Sequence, residues 1–94
     1  MKSKPLQIFF LYAEECSSCK MILSMMESIA VEKKIPIQIL KYHYDDKVAV
    51  SIAVNNDIED LPGIVFGSSK NVLQGKLITQ EQLEEAMEKA WELN

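Results

Sequence analysis

The strongest constraint on the fold of this chain is an apolar segment near its start that gives way abruptly to a helical pattern. Residues 6–12 are almost continuously large and apolar, with Pro5 before them and the acidic pair Glu14-Glu15 shortly after them. Such a run predicts a β-strand that is covered on both faces. Because helices must then flank the sheet that contains this strand, the segment predicts an α/β fold.

The segment that follows, residues 16–33, predicts an amphipathic helix. Its apolar residues recur at three- and four-residue steps: Ile22, Met25 or Met26, Ile29 and Ala30. Pro36 cannot continue the helix, and residues 37–44 are rich in branched and aromatic side chains, which predicts a second buried strand. Two strands separated by a long helix imply a parallel crossover.

The remaining elements follow from shorter signals. Asp45-Asp46 is expected to cap a helix over residues 47–55, and the inward residues of that helix are expected to be Val48, Ile52 and Ala53. Residues 63–66 predict a short apolar strand, residues 67–70 a turn, and residues 71–74 an antiparallel return.

Thr79 and Gln82 form a capping-box pattern that begins a last helix. The predicted order is β-α-β-α-β-β-α, a mixed four-stranded sheet flanked by three helices. We expect residues 1–94 to form a single domain.

Charge and hydropathy exclude several classes of partner. The formal net charge is −4 and the ten basic residues are scattered, so nucleic acid and anionic membranes are not expected partners. No apolar run approaches the roughly 18 residues of a membrane-spanning helix. The expectation is a soluble protein of the cytoplasm.

The only two cysteines are Cys16 and Cys19, separated by Ser17-Ser18 at the predicted junction of strand and helix. They are too close in sequence to join distant segments, whereas this spacing suits thiol–disulfide exchange. The first turn of a helix stabilises a thiolate through its unpaired N–H groups and its dipole. Cys16 is therefore the candidate attacking thiol, and Cys19, one turn deeper, the resolving thiol.

Charged neighbours are expected to modulate the pair in opposite directions. Lys20 favours the thiolate, whereas Glu14 and Glu15 disfavour it. A zinc site needs about four ligands, so two cysteines and His43 predict no metal site within one chain and no bound cofactor. The alternative function is a non-enzymatic dithiol module: either a dimer that shares two cysteine pairs around a soft metal or an iron–sulfur cluster, or a thiol carrier that hands a soft metal on.

The segment from Tyr12 to Lys20 resembles the active-site segment of thioredoxins, in which Cys-x-x-Cys-Lys follows an aromatic residue, alanine and glutamate. Ile58-x-x-Leu61-Pro62 is similar to the segment of that family that ends in a cis-proline. Gly75 and the capped helix after it resemble the family's carboxyl end. The resemblance extends from the first strand onward and lacks the additional amino-terminal strand and helix, as in a small thioredoxin- or glutaredoxin-like protein.

This resemblance implies a thioredoxin-like fold and a monomeric enzyme that reduces protein disulfides and is itself reduced by an upstream reductase. It implies that Pro62 is cis and faces the dithiol, with the backbone of Leu61 directed toward an extended substrate segment. Tyr12, Leu61 and Pro62 would then bind substrate beside Cys16.

The chain also departs from the family pattern. Glu15 and Ser17-Ser18 replace the usual tryptophan and Gly-Pro pair, and Phe10 lies where the family has a buried aspartate. Lys41 matches the lysine that accompanies that aspartate. The proton of Cys19 would therefore pass to water, Glu14 or another group. The segment before Pro62 lacks the Thr-Val pair of glutaredoxins, so glutathione is not an expected ligand.

Overall fold

The computed structural model describes residues 4–67 and 71–93. Its elements are β1 (Leu6–Tyr12), α1 (Ser17–Lys33), β2 (Ile37–His43), α2 (Lys47–Asn55), β3 (Gly63–Phe66), β4 (Asn71–Gln74) and α3 (Gln80–Leu93). The predicted element order is confirmed. Three residues of the predicted turn, 68–70, lie outside the described part of the chain.

The four strands form one mixed sheet in the order β2-β1-β3-β4. β1 runs parallel to β2, with Leu6 opposite Ile37 and Tyr12 opposite His43. On its other side β1 runs antiparallel to β3, which in turn pairs antiparallel with β4. The mixed four-stranded sheet predicted from the sequence is confirmed, and β1 lies inside it with a partner on both sides. The prediction that β2 is a buried strand is wrong: β2 lies at an edge of the sheet, and none of its residues is buried.

One face of the sheet carries the principal core, beneath α1 and α3. Side chains alternate between the two faces of a strand, so residues 6, 8 and 10 of β1 point to this face. The core residues of the two helices include Ile22, Met26, Ile29, Leu83, Met87 and Ala90. Leu11 and Val65 are buried on the opposite face, where α2 packs against β2.

Side-chain caps mark the residues at which α2 and α3 begin. Asp46 caps α2, because its Oδ1 accepts a hydrogen bond from the Val48 amide at 2.8 Å. Thr79 and Gln82 form the predicted capping box: each backbone N–H donates to the other's side chain, at 2.9 and 3.2 Å. Within the described residues, no helix is long and apolar enough to cross a membrane.

The predicted inward face of α2 is wrong at one position. Val48 is 46% exposed, whereas the neighbouring Ala49 is 1% exposed. The helix is apolar over most of its circumference, so its sequence does not mark one face as the buried one. Packing against β2 decides which residue of α2 is buried, and that residue is Ala49.

Candidate redox site

A disulfide joins Cys16 to Cys19 at the point where β1 ends and α1 begins, with the two sulfur atoms 2.07 Å apart. Cys16 is the N-cap residue of α1 and has extended backbone angles. Its amide donates to the Ala13 carbonyl at 3.2 Å, and the Cys19 amide donates to the Cys16 carbonyl at 3.2 Å. The turn between strand and helix thus brings together two cysteines whose Cα atoms are 5.3 Å apart.

The two cysteines differ in exposure. Cys16 is half-buried, whereas Cys19 is 5% exposed and belongs to the core cluster. The Ser18 hydroxyl lies 3.6 Å from the Cys16 sulfur. An incoming sulfur atom therefore has better access to Cys16, and Cys19 is the protected partner.

A cleft of about 310 Å³, which we call the disulfide cleft, opens beside the two cysteines. Its lining consists of Phe10, Tyr12, Ala13, Glu14, Cys16, Cys19, Lys20, Leu23 and Lys41. Phe10 and Lys41 are opposite each other in the register of β1 and β2, so the lysine predicted from the family pattern does reach this cleft. The structure thus brings Tyr12, Lys20 and Lys41 together with both cysteines.

Leu61 and Pro62 lie in the loop before β3, and the peptide bond between them is cis. Pro62 is buried, and its carbonyl accepts a hydrogen bond from the Gly75 amide at 3.0 Å. Leu61 is half-buried and lines a separate cleft together with Gly75 and Leu77. Glu15 is exposed and lines neither of these two clefts.

Gln74 fixes the loop that leads to Pro62, a role that the sequence did not indicate. Its Oε1 accepts hydrogen bonds from the amides of Glu59 and Asp60, at 2.7 and 3.0 Å, and its Nε2 donates to the Asp57 carbonyl at 3.2 Å. Nothing in the sequence around Gln74 indicates this role. The role depends on the pairing of β3 with β4, which places Gln74 opposite Gly63.

His43 is a second residue whose surroundings the sequence did not indicate. Its Nδ1 lies 2.5 Å from Asp45 Oδ1, and its Nε2 lies 3.8 Å from Glu14 Oε1. Glu14 also lines the disulfide cleft. A chain of polar contacts therefore runs from the end of β2 to the loop that carries Cys16.

In residues 4–67 and 71–93, no group of three or more histidine, cysteine or acidic side chains is arranged to hold a metal ion. A site shared between two copies of the chain would need ligands from both, so that alternative stays a prediction.

Comparison with known proteins identifies a family that this chain matches. The family model described as thioredoxin matches residues 1–89. No protein among those with curated functions matches the chain in sequence.

Solved structures share the fold at low sequence identity. An uncharacterised thioredoxin-like protein from Clostridium perfringens is 20% identical, with a TM-score of 0.70 over 95% of this chain and 73% of its own. A malarial protein is 20% identical, with a TM-score of 0.61 over 93% and 98% of the two chains. Thioredoxin-2, a component of the malaria parasite protein secretion machinery, is 20% identical, with a TM-score of 0.62 over 95% and 86%. The matched model and the disulfide at Cys-x-x-Cys spacing together support a thiol–disulfide redox module.

Proposed function

Because this chain belongs to the thioredoxin family, we propose that it is an oxidoreductase that reduces disulfides in other proteins. The observation that carries the proposal is the unequal exposure of the two cysteines: Cys16 is half-buried at the N-terminus of α1, and Cys19 is buried one turn deeper. Only the accessible thiol can attack a disulfide held by another protein. Cys16 is therefore the attacking thiol and Cys19 the resolving thiol.

The reaction has two exchange steps. The Cys16 thiolate attacks a substrate disulfide, so that a bond forms between Cys16 and one substrate sulfur while the other leaves as a thiolate and takes up a proton. Cys19 then loses its proton and attacks the Cys16 sulfur, which releases the second substrate thiolate and forms the Cys16–Cys19 disulfide. Two electrons pass from the enzyme to the substrate. An upstream dithiol reductase returns two electrons and restores the reduced enzyme.

Tyr12, Leu61 and Pro62 are proposed to bind the substrate beside Cys16. Tyr12 lines the disulfide cleft and offers an aromatic wall next to the reacting sulfur. Leu61 is partly exposed and its backbone would pair with an extended substrate segment, as in strand addition. Pro62 would hold that backbone in place.

Charged residues around the dithiol are proposed to modulate its reactivity. Lys20 and Lys41 line the disulfide cleft and would favour a thiolate there. Glu15 immediately precedes Cys16 in the sequence and would disfavour it.

We also propose that the protein works as a monomer in the cytoplasm, where the cellular thiol pool keeps dithiols reduced. A net charge of −4 supports protein substrates over nucleic acid or anionic membranes as partners.

The test is reduction of a disulfide-bonded protein such as insulin with dithiothreitol as the electron source. The wild type should accelerate the reaction, and Cys16→Ser should abolish the acceleration. The matched variant Cys19→Ser should accumulate a mixed disulfide through Cys16, which mass spectrometry of the intact adduct identifies. Wild-type activity no higher than that of Cys16→Ser would refute the proposal, and an adduct formed by Cys16→Ser instead would reverse the two roles.

A measured reduction potential gives the direction of exchange. A value of about −270 mV is typical of a reductant, whereas one of about −120 mV is typical of an oxidant. We expect the first.

A further inference from the structure

The single histidine of this chain has a fixed orientation at the end of β2. His43 lies opposite Tyr12, the last residue of β1, and the two rings meet edge-to-face with their centroids 5.5 Å apart. The ring of Tyr44 lies on His43 as well, with centroids 4.7 Å apart and a tilt of 38°. Two aromatic contacts hold the imidazole, so its two nitrogen atoms point in defined directions.

Each nitrogen of His43 faces a carboxylate. Nδ1 lies 2.5 Å from Asp45 Oδ1 and 3.4 Å from the Asp45 amide nitrogen. Nε2 lies on the other side of the ring, 3.8 Å from Glu14 Oε1. A protonated ring attracts the Glu14 carboxylate through a full charge, whereas a neutral ring does not.

Glu14 connects this histidine to the disulfide site. It lies two residues before Cys16 and lines the same cleft as both cysteines. Its side chain is 87% exposed, so its carboxylate is free to turn toward Nε2 or away from it. A negative charge near Cys16 disfavours the thiolate, and a positive charge that pairs with Glu14 offsets that effect.

Other charged groups lie at the disulfide cleft and next to His43 in the chain. Lys41, on the same face of β2 as His43, and Lys20, on α1, line the disulfide cleft with Glu14. Asp46 donates its amide to the His43 carbonyl at 2.9 Å. Histidine is the side-chain type whose unperturbed pKa places its change of charge between about pH 5 and 8, and a thiol with a lowered pKa titrates there as well. Across that range, the charges on the imidazole and on the Cys16 thiol are therefore the ones that change.

We propose that His43 is a positioning residue for the dithiol: when protonated, it holds the Glu14 carboxylate at Nε2 and so raises the thiolate fraction of Cys16. The inference rests on the proposed role of Cys16 as the attacking thiol. The size of the effect follows from Coulomb's law. One unit charge on the imidazole that acts on the Cys16 sulfur over about 10 Å, at an effective dielectric constant of about 40 to 80, changes the acid dissociation constant of the thiol about two- to fourfold. The effect adds to the ordinary pH dependence of a thiol.

The experiment measures alkylation of Cys16 by iodoacetamide from pH 5.5 to 8.5, in a Cys19→Ser background that leaves one thiol. Rates are compared with and without His43→Gln. We expect equal rates at pH 8.5, and at pH 5.5 about a two- to fourfold higher rate when His43 is present. A ratio that does not change with pH overturns the inference. The assay needs neither a substrate protein nor a reductase, so failure of the proposed reductase activity would show separately.

A second variant isolates the path through Glu14. In a Glu14→Gln background the pH-dependent ratio should become clearly smaller, because only the direct field of the ring remains, and an unchanged ratio would mean that His43 acts without Glu14, which overturns the inference. A measurement on the unmodified oxidised protein covers the case in which His43→Gln fails to fold. In the oxidised wild-type protein, the NMR chemical shift of the Glu14 carboxyl carbon should change over the same pH range as the shifts of the His43 ring. If the two sets of shifts change independently, His43 does not hold Glu14 and the inference is overturned.

Discussion

Replacing Phe10 with alanine tests both the core and the support of the disulfide. Phe10 is 0% exposed, lies near the end of β1 and pairs in register with Lys41 on one side and Ile64 on the other. It also lines the disulfide cleft, and both Phe10 and Cys19 belong to the core cluster. The same side chain thus fills the principal core and forms part of the wall of the site.

The expected loss of stability follows from this burial. A buried Phe→Ala change costs about 3–5 kcal/mol, the sum of lost transfer free energy and a cavity term. Because the space left by the ring joins an open cleft, water can enter it and part of the cavity term falls away. We therefore expect a loss of about 3 kcal/mol. A domain of this length has about 5–14 kcal/mol of stability, so the variant still folds, with its Tm lowered by about 12–24 °C.

Urea unfolding of the disulfide-bonded protein, followed by circular dichroism, measures the loss. Phe9→Ala is the matched control, because Phe9 is the same residue type on the same strand, half-buried on the opposite face. It should lose about half as much, about 1–2 kcal/mol. A loss at Phe9 equal to or larger than that at Phe10 would refute the assignment of faces on β1.

Three further predictions concern single contacts. Asp46→Ala removes the cap of α2 and should lower the free energy of unfolding by about 1 kcal/mol. Asp46→Asn can still accept the hydrogen bond from the Val48 amide, so it should lower that free energy by less, and urea titration measures both losses. Gly63→Ala places a Cβ 2.6 Å from Ile58 Cγ2 and should cost about 1–3 kcal/mol in the same assay, partly recovered by Ile58→Ala in the double variant. The hydrogen bond that Lys33 donates to Glu88 raises the pKa of Lys33, so the pair stabilises the fold below the unfolded-state pKa of about 10.5, and this contribution disappears as pH rises through the folded-state pKa. The difference in urea midpoint between wild type and Glu88→Gln should accordingly shrink as the pH rises through the folded-state pKa of Lys33, and a constant difference would contradict the pairing.

Most of the fold could be predicted because its elements carry clear periodic signals. β1 has a nearly continuous apolar run, and α3 shows helical spacing after a capping box, so both can be identified without tertiary information. The inward face of α2 could not be identified, since valines and alanines surround that helix and only contact with β2 distinguishes Ala49 from Val48.

The candidate site also has one part that the sequence predicts and one part that it does not. Cys16 and Cys19 are near neighbours in sequence, so one helical turn is enough to bring them together. The contact of His43 with Glu14 spans 29 residues, and it exists only because parallel pairing aligns Tyr12 with His43. No local pattern specifies that register, which is set by the packing of both strands in the sheet.

The strand order also determines how tightly the redox turn is anchored during local opening. Edge strands β2 and β4 have one hydrogen-bonded neighbour each, whereas β1 is bonded on both sides. Amide hydrogens of a strand bonded on both sides exchange with solvent only when larger parts of the sheet open, so β1 should be among the slowest-exchanging segments. The turn that carries Cys16 extends directly from this strand. Fluctuations that release either edge therefore leave the anchor of the disulfide intact, and the site can cycle between oxidised and reduced states on a support that rarely opens.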